Sequence, residues 1–349
     1  MKKICFIFVI VSCLFTACKK SRLSPVELFS IQEDLPELKC HFNEDMLARI
    51  EAIQCNDSSL IVFDYHSGYS FTLFDLKSEN VMGRFGEIGQ GPGEIPLGCY
   101  GYLYNKNFII SYDHPCFIAT YPIDSLRANI RFKPLILVKY EIPEALFSHV
   151  TPVNDTLFFG AGSYRSEYQF VLFDRKNKVI DFNVEIYNAK DETFNISNKF
   201  LSNQGTLRKH PVEDKFVYAV NNSSNIDFVK ISNNKIKLLK SIRLRDPDFT
   251  PEQDGIFYSV LPDAHSPIGY IDISTSRDYV FALYTDKPCI NAFSSQLILV
   301  FDWNGNPIKM LHLNQEAYYI AVCEKQKRIY AAIKNEDKGW SITSYKIDN

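Results

Sequence analysis

The sequence lacks long runs of basic residues and carries little net charge. Its 38 Lys and Arg residues stand against 41 Asp and Glu residues, and the formal net charge is −3. A nucleic-acid groove needs clustered basic side chains, so no nucleic acid is expected as a partner. The chain after residue 17 also lacks 18 consecutive apolar residues, so no membrane-spanning helix is predicted there.

The sequence also lacks the short motifs that mark several classes of hydrolase. It has no Gly-x-Ser-x-Gly elbow, no His-Glu-x-x-His pair and no Ser-x-Asp-x-Gly-x-Thr-Trp box. Cys-x-x-Cys pairs and other zinc spacings are missing as well. These absences favour a protein that is not an enzyme.

Apolar and aromatic residues, by contrast, are abundant enough for a large core. Hydrophobic residues make up 46% of the chain, with 27 Phe and 20 Tyr. This composition excludes a disordered or collagen-like chain. The length of 349 residues fits either two ordinary domains or one large all-β domain.

The N-terminus has the pattern of a secretory signal. Lys2 and Lys3 precede a mostly apolar stretch at 4–15, which is too short to span a bilayer. The stretch ends in Phe15-Thr16-Ala17-Cys18, which resembles the lipobox of bacterial lipoproteins, with Phe15 where Leu is usual. The resemblance implies cleavage before Cys18 and lipidation of its thiol, which anchors the protein to a membrane. The alternative is an ordinary soluble secreted protein.

The residues after Cys18 bear on the location within the envelope. Lys19 and Lys20 follow the cysteine, without an acidic residue. In lipoprotein sorting, Asp at this place signals retention in the inner membrane, so the resemblance implies an outer-membrane lipoprotein. We expect it on the periplasmic side rather than on the cell surface.

Six cysteines remain once the signal and the lipidated residue are set aside. The periplasm permits disulfides, but the six are scattered without close pairs, and free cysteine is among the most buried residue types. Small core residues are the favoured interpretation, and disulfides are the alternative. The six are Cys40, Cys55, Cys99, Cys116, Cys289 and Cys323.

Six pairs of apolar strands recur along the chain. The first members cover 60–64, 108–113, 157–160, 216–220, 279–284 and 328–333. Their partners cover 71–76, 118–123, 170–174, 228–231, 297–302 and 342–347. Strands joined by turns in units of about 40 to 50 residues are the signature of a β-propeller blade. The sequence therefore predicts an all-β fold, a six-bladed β-propeller of four-stranded antiparallel blades, with a β-sandwich as the alternative.

The last repeat lacks a fourth strand, and the segment 38–42 is predicted to supply it from the N-terminus. The chain is accordingly divided into a signal peptide at 1–17, a lipid-anchored tether at 18–37 and the propeller at 38–349. A monomer is expected. Longer polar connections are predicted at 188–210 and 246–268, and such loops often carry binding function.

One glycine-rich stretch stands out between the first two repeats. It reads Gly86-Glu87-Ile88-Gly89-Gln90-Gly91-Pro92-Gly93-Glu94, and it matches neither a phosphate loop nor a dinucleotide fingerprint. Together with the lipobox and the six repeats, it resembles the TolB-like and NHL-like six-bladed propeller lipoproteins of Gram-negative envelopes. That resemblance implies a binding or scaffolding module. Leu283-Tyr284-Thr285-Asp286 also resembles one degenerate copy of the YWTD blade motif.

Candidate ligand-binding residues follow from propeller topology, because the turns after second strands share one face with the connections between blades. Carboxylates and imidazoles that converge there would bind a polar ligand or a divalent cation such as calcium, although no cofactor is predicted. The alternative is that each Asp caps its own turn and each His is solvated. The candidates are Asp64, His66, Gly91, Pro92, Gly93, Glu94, Asp113, His114, Tyr284 and Asp286.

Two functions remain open. The first is a non-enzymatic binding or interaction module whose loop-rich face binds a protein, peptide or glycan, helped by tyrosines near that face such as Tyr65 and Tyr100. The second is a metal-assisted hydrolase or lactonase that resembles six-bladed gluconolactonases. Its metal would be held by a set such as Asn221, Asn222, Asp286 and Glu336.

Overall fold

The structure, a computed structural model, describes residues 24–42, 47–104, 106–113, 116–291, 293–335 and 339–347, with residues 113 and 291 described by their backbone alone. Cys18, His114 and Glu336 lie outside the described residues. The fold is a six-bladed β-propeller, as predicted. Its blades are four-stranded antiparallel sheets, and the last two are joined in one larger sheet.

Blades 1 to 3 each consist of four consecutive strands, numbered outward from the axis. Blade 1 contains β3 (Ala52–Cys55), β4 (Ser59–Phe63), β5 (Tyr69–Asp75) and β6 (Val81–Glu87). Blade 2 contains β7 (Tyr100–Tyr104), β8 (Asn107–Asp113), β9 (Cys116–Pro122) and β10 (Leu135–Lys139), with helix α1 (Ile123–Ala128) before its last strand. Blade 3 contains β11 (Ala145–Pro152), β12 (Leu157–Tyr164), β13 (Tyr168–Asp174) and β14 (Val179–Glu185).

Blades 4 to 6 follow the same order with two additions. Helix α2 (Ile196–Ser202) precedes blade 4, which contains β15 (Gly205–Lys209), β16 (Lys215–Val220), β17 (Asn225–Ser232) and β18 (Lys235–Arg243). A hairpin of β19 (Phe249–Asp254) and β20 (Phe257–Pro262) precedes blade 5. Blades 5 and 6 contain β21 (Pro267–Thr275), β22 (Tyr279–Pro288), β23 (Ser295–Asp302), β24 (Pro307–Cys323), β25 (Arg328–Asn335) and β26 (Gly339–Lys346).

Blades 5 and 6 share one continuous strand. The first part of β24 pairs with β23 as the outer strand of blade 5, and its second part pairs with β25 as the inner strand of blade 6. The register shifts between Ala317 and Tyr319, where the chain changes from one blade to the next. No separate loop therefore divides these two blades.

The N-terminal segment closes the ring. A 3-10 helix at Pro25–Leu28 leads to β1 (Gln32–Asp34), which runs parallel to β24, and then to β2 (Glu37–Leu38), which pairs antiparallel with β26 as the fourth strand of blade 6. The closing strand β2 thus ends at residue 38, where the predicted closing strand at 38–42 begins. Phe42 instead lies buried between Phe74 and Tyr330, because its ring fills the interface between blades 6 and 1.

The described part of the predicted tether belongs to the propeller. Residues 24–37 contain the 3-10 helix and β1, and Phe29 packs in an edge-to-face contact with Phe301 of blade 5. Burial of this aromatic ring fixes the segment against the outside of the blades. This segment therefore packs on the blades ahead of residue 38, where the propeller is predicted to begin.

The six hydrophobic clusters correspond to the six interfaces between neighbouring blades. One cluster, for example, joins Ile61 and Phe71 of blade 1 to Phe108 and Ile110 of blade 2, and all four are almost completely buried. The second and third strands are covered on both faces by neighbouring blades, so they read as nearly continuous apolar runs. This is why the sequence repeat coincides with the second and third strand of every blade.

The propeller has two faces with different connections. The connections between blades and the turns between second and third strands lie on one face, called here the linker face. The turns between first and second strands lie on the opposite face. Asn233 and Asn234 both have positive φ in the two-residue turn between β17 and β18, as a type I′ hairpin turn requires.

Both long connections contain regular structure. The connection expected at 188–210 holds α2 and also β15, the inner strand of blade 4, while the one expected at 246–268 holds the β19–β20 hairpin. No disulfide joins the six cysteines in the part of the chain that the structure describes, and two of them, Cys99 and Cys323, are buried.

Candidate ligand cavity

A cavity of about 560 Å³ lies where the inner strands of all six blades meet at the axis. It opens on the linker face, since its wall includes the ends of β4 and β16 as well as the starts of the inner strands. Each blade contributes at least one side chain to the wall. Representative lining residues are Glu51, Tyr65, Tyr100, His149, Arg208, Asn221, Asn222, Tyr270, Asp272, Phe293 and Tyr319.

A buried ion pair crosses the cavity wall between blades 4 and 5. The Arg208 guanidinium lies 3.2 Å from the Asp272 carboxylate, which also accepts hydrogen bonds from the backbone N–H of Ile273 and Ile320 at 2.8 and 3.0 Å. Burial raises the pKa of Asp272 to about 6, although Arg208 and the two N–H groups work in the opposite direction. The pair therefore links three blades through one carboxylate.

Three side chains form a stack beside this ion pair. The rings of Tyr100 and His149 have centroids 3.6 Å apart, and the Arg208 guanidinium lies 5.5 Å from the Tyr100 centroid. The Tyr100 hydroxyl donates to the Leu207 carbonyl at 3.0 Å, which fixes the ring. Burial lowers the pKa of His149 to about 3, against the effect of a hydrogen bond with the Gly205 backbone. The imidazole is therefore neutral near pH 7.

Several buried polar atoms in the wall have no hydrogen-bond partner within the described residues. A buried polar atom normally has a partner, from protein, water or a bound molecule. Tyr270 is 1% exposed and Arg208 is 5% exposed, so their atoms are well shielded from bulk solvent. The atoms are the Tyr270 hydroxyl, Arg208 Nε, His149 Nδ1, Asn221 Oδ1 and Asn222 Oδ1.

The cavity wall has little net charge. Arg208 and Asp272 neutralise each other, and Glu51 pairs with Arg49 at 2.7 Å. Lysine is absent from the described lining residues. The wall therefore offers hydrogen-bond donors, amide acceptors and aromatic faces to a ligand without a strong charge.

The predicted site residues in blade 1 have local partners. Both oxygens of Asp64 accept from Thr72 Oγ1 at 3.0 Å, and burial raises the pKa of Asp64. His66 Nδ1 lies 2.5 Å from Ser67 Oγ. Tyr65, between them in the sequence, lines the cavity, because it has positive φ and reverses the chain at the end of β4.

The glycine-rich stretch forms a closed turn beside blade 2. Glu94 accepts a hydrogen bond from the Gly91 N–H at 2.7 Å, so this carboxylate orders its own loop. Gly93 has φ +79°, and a Cβ there would lie 2.7 Å from Lys133 Cδ. Among the described lining residues, none comes from 91–94.

Tyr284 and Asp286 belong to a separate polar cluster on the linker face. The buried Tyr284 hydroxyl donates to Asp286 at 2.6 Å, and Asp286 also accepts from Arg245 at 3.2 Å and from Ser24 at 2.5 Å. Asp286 thus connects the N-terminal segment to blade 5. The candidate carboxylates whose side chains are described, Asp64, Glu94 and Asp286, accept from different groups and share no hydrogen-bond partner.

The described residues form neither a metal cluster nor a membrane-spanning helix. They contain no group of three or more His, Cys, Asp or Glu side chains arranged to hold a metal ion. Their helices are too short and too polar to span a bilayer.

Sequence reasoning missed most of the cavity wall. Tyr65, Tyr100, Asn221 and Asn222 were singled out, but the wall residues His149, Arg208, Tyr270 and Asp272 were not. Inner strands face a polar channel and lack the continuous apolar pattern of the second strands, as Gly205–Lys209 shows with two basic residues in five. A search for polar residues one strand before each repeat would have found them.

Two solved structures share this architecture at low sequence identity. An exported protein from Bacteroides fragilis NCTC 9343 superposes with a TM-score of 0.56 and 14% identity, over 91% of this chain and 99% of that one. A member of the DUF4221 family from Bacteroides vulgatus superposes with a TM-score of 0.55 and 12% identity, over the same shares. At these identities the likeness concerns the fold.

No curated protein matches the sequence. The family model described as TolB-like 6-blade propeller-like matches residues 40–325, which include blades 1 to 5 and the start of blade 6. With six blades around an axial cavity and a family match over most of its length, the chain belongs to the TolB-like six-blade propeller family.

Proposed function

We propose that this protein is a non-enzymatic binding module of the cell envelope that takes a neutral, polar group of its ligand into the axial cavity. The observation that carries the proposal is the set of buried, unpartnered polar atoms in the cavity wall, led by the Tyr270 hydroxyl and Arg208 Nε. A ligand with hydroxyl or amide groups would satisfy them.

The charge and shape of the wall favour a glycan, or a neutral portion of a peptide or protein. An anionic ligand would need a cation with no carboxylate partner, whereas Arg208 is paired with Asp272. Tyr100 and Tyr319 supply aromatic surface, and aromatic rings with polar edges suit sugar rings and peptide groups. A cavity of about 560 Å³ is within the ordinary size range of small-ligand sites.

The charged groups and the imidazole at the centre of the wall contact other protein groups. Asp272 accepts from Arg208 and from two backbone N–H groups, and the neutral His149 ring lies against Tyr100. A general base or nucleophile needs a partner that activates it. These contacts favour recognition over acid–base chemistry.

The proposed location rests on the N-terminal sequence. The signal at 1–17 and the lipobox before Cys18 support an outer-membrane lipoprotein on the periplasmic side, and similarity to an exported Bacteroides protein supports export. The acyl chains at Cys18 would supply the membrane anchor. The binding face would then work close to that membrane.

The test uses the full lipidated chain in detergent, with neutral oligosaccharides and neutral peptides immobilised on a sensor. Replacing Tyr270 with Phe removes an unpartnered hydroxyl, so folding stability stays near that of the parent while affinity falls about tenfold. Tyr345→Phe is the matched control, because its buried hydroxyl donates to Asn314 at 2.8 Å; it should lose stability and keep its affinity. Equal affinity of Tyr270→Phe and the parent would overturn the proposal.

One observation favours the lactonase alternative. Asn221 and Asn222 both line the cavity with unpartnered amide oxygens, and such oxygens are ligands for hard cations such as calcium. Asp286, the third member of the predicted set, is instead bonded to Arg245, Tyr284 and Ser24. Mass spectrometry of bound metals, followed by lactone hydrolysis assays on Asn222→Ala, tests this second candidate.

A further inference from the structure

Exposed apolar side chains are concentrated on the linker face. Among the large hydrophobic residues that the structure describes, the two most exposed are Ile256 at 83% and Phe257 at 74%, at the tip of the β19–β20 hairpin. Ile290, which is 68% exposed, donates its N–H to the Ala264 carbonyl just after this hairpin. The turns of the opposite face expose Val212.

The hairpin is held firmly on the propeller. Asn198 of α2 is 3% exposed, and its amide donates to the carbonyls of Ser259 and Glu252 at 2.7 and 3.4 Å. One helix side chain thus bonds both strands. The apolar tip is therefore presented at a fixed place beyond the linker face, and isolated two-stranded hairpins gain stability from such packing.

The N-terminal segment enters the fold at the base of the same hairpin. Ser24 donates to Asp286, and Asp286 accepts from Arg245, which lies between the end of β18 and the start of β19. Cys18 precedes Ser24 by six residues, and six residues reach at most about 20 Å. An anchor at Cys18 would therefore hold this edge of the linker face close to the bilayer.

We infer that the β19–β20 hairpin docks on the bilayer surface, with Ile256 and Phe257 inserted among the lipid headgroups. The inference rests on the lipid anchor in the proposed function. The short reach from Cys18 identifies the occupant, since the surface that must lie nearest to the apolar tip is the membrane that holds the anchor. Apolar side chains of surface-bound segments enter the headgroup and acyl boundary to about 5–10 Å.

Charge selects the kind of lipid surface. Residues 249–262 contain the acids Glu252 and Asp254 and no basic residue, so anionic lipids do not attract the hairpin. A zwitterionic surface is the better fit. With acyl chains already holding the protein, the hairpin sets its orientation, and the axial cavity opens on the membrane-proximal side.

The experiment places a tryptophan at the hairpin tip of the full lipidated chain. Phe257→Trp is reconstituted in phosphatidylcholine vesicles whose acyl chains carry bromine, a fluorescence quencher, and Val212→Trp, on the opposite face, is the matched control. Both sites are exposed, and both variants share the native Trp303 and Trp340. We expect the tryptophan fluorescence to lose intensity and shift to the blue for Phe257→Trp alone. Adding phosphatidylglycerol to the vesicles should not increase this quenching.

Three results would overturn the docking. If both variants are quenched equally while palmitate is incorporated at Cys18, the docking of the hairpin is refuted and the lipid anchor still stands. Absence of palmitate in the parent chain, as in Cys18→Ser, removes the anchor together with the docking. A photo-cross-linker at position 257 that captures a protein in cells, and no lipid, would reassign the hairpin to a protein partner.

Discussion

The guanidinium of Arg208 and the carboxylate of Asp272 lie 3.2 Å apart on neighbouring blades, with each side chain 6% exposed. Removing one partner of a buried pair leaves a charge without compensation, which costs about 3–5 kcal/mol. We expect Arg208→Met to lower the free energy of unfolding by this amount. Arg208→Met/Asp272→Asn should recover part of the loss, because the amide oxygen still accepts from Ile273 and Ile320. Urea unfolding of the two single variants and the double variant measures the coupling energy between Arg208 and Asp272. If the losses of the two single variants simply add up in the double variant, the two side chains do not stabilise each other.

The same carboxylate predicts a pH dependence. Its pKa rises from about 4 in the unfolded chain to about 6 in the fold, so the fold binds more protons between these values. The contribution of Asp272 to stability is therefore complete below about pH 4 and is lost as the pH rises through 6. His149, whose pKa is lowered to about 3, acts with the opposite sign. The parent must hence be compared with Asp272→Asn, and parallel stability curves from pH 4 to 7 would refute the prediction.

Asp75 has the opposite behaviour at acid pH. Arg127 Nη2 lies 2.5 Å from its carboxylate, and the N–H groups of Lys77 and Ser78 donate to it as well. Arg127 and Ser78 lower the pKa of Asp75 to about 2. Its contribution is thus present above about pH 4 and lost as the pH falls through 2. Between about pH 4 and pH 2, Arg127→Gln should lose less stability than the parent, as measured by thermal unfolding. If the stability of both proteins falls equally over this range, Arg127 does not lower the pKa of Asp75.

Gly269 is required for the contact between blades 4 and 5. It has φ +107°, and a Cβ there would lie 1.7 Å from the Ser223 carbonyl oxygen. Gly68 has φ +83° with nothing within 4 Å of an added Cβ, so Gly68→Ala has only the backbone cost of about 1–2 kcal/mol. Gly269→Ala should cost distinctly more, or prevent folding. Similar melting temperatures for the two variants would show that the blades can move apart at little cost.

Ring closure depends on Glu37 in the two-residue strand β2. Its carboxylate accepts from Asn314, Gln315 and Thr343 at 2.6, 2.9 and 2.8 Å, and these bonds lower its pKa. Because the side chain is exposed, Glu37→Ala should cost about 1 kcal/mol. Glu33→Ala, which removes a surface pair with Lys309, is the control and should cost less. Calorimetric melting of both variants decides.

The sequence predicted the architecture through its second and third strands. Strands such as β4 and β5 are buried on both faces, so their apolar pattern is continuous and recurs in every blade. The hairpin at 249–262 was not predicted, because the residues from 246 to 268 read as a long polar connection and Pro251 and Pro262 argue against strands there. Pro251 and Pro262 lie within β19 and β20, which pair only with each other. Each strand therefore has one open edge, where a missing N–H is tolerated.

The cavity was harder to predict than the fold. Its wall combines single residues from strands that are far apart in the sequence, and Arg208 and Asp272 are 64 positions apart. Only the closed ring brings such positions together. Asp64 and Asp286 were recognisable by their place at strand ends, but nothing in the sequence shows that Thr72 and Arg245 would bind them.

The continuous strand β24 determines where this chain can be divided. A cut at Lys190 or Gly98 falls in a connection between complete blades, so two fragments could reassemble by the packing that already joins neighbouring blades. A cut between Leu313 and Tyr319 would split a single strand and deprive blades 5 and 6 of a shared edge. The protein is therefore built from four separate blades and one pair of blades that cannot be divided. The N-terminal strands β1 and β2 belong to that pair.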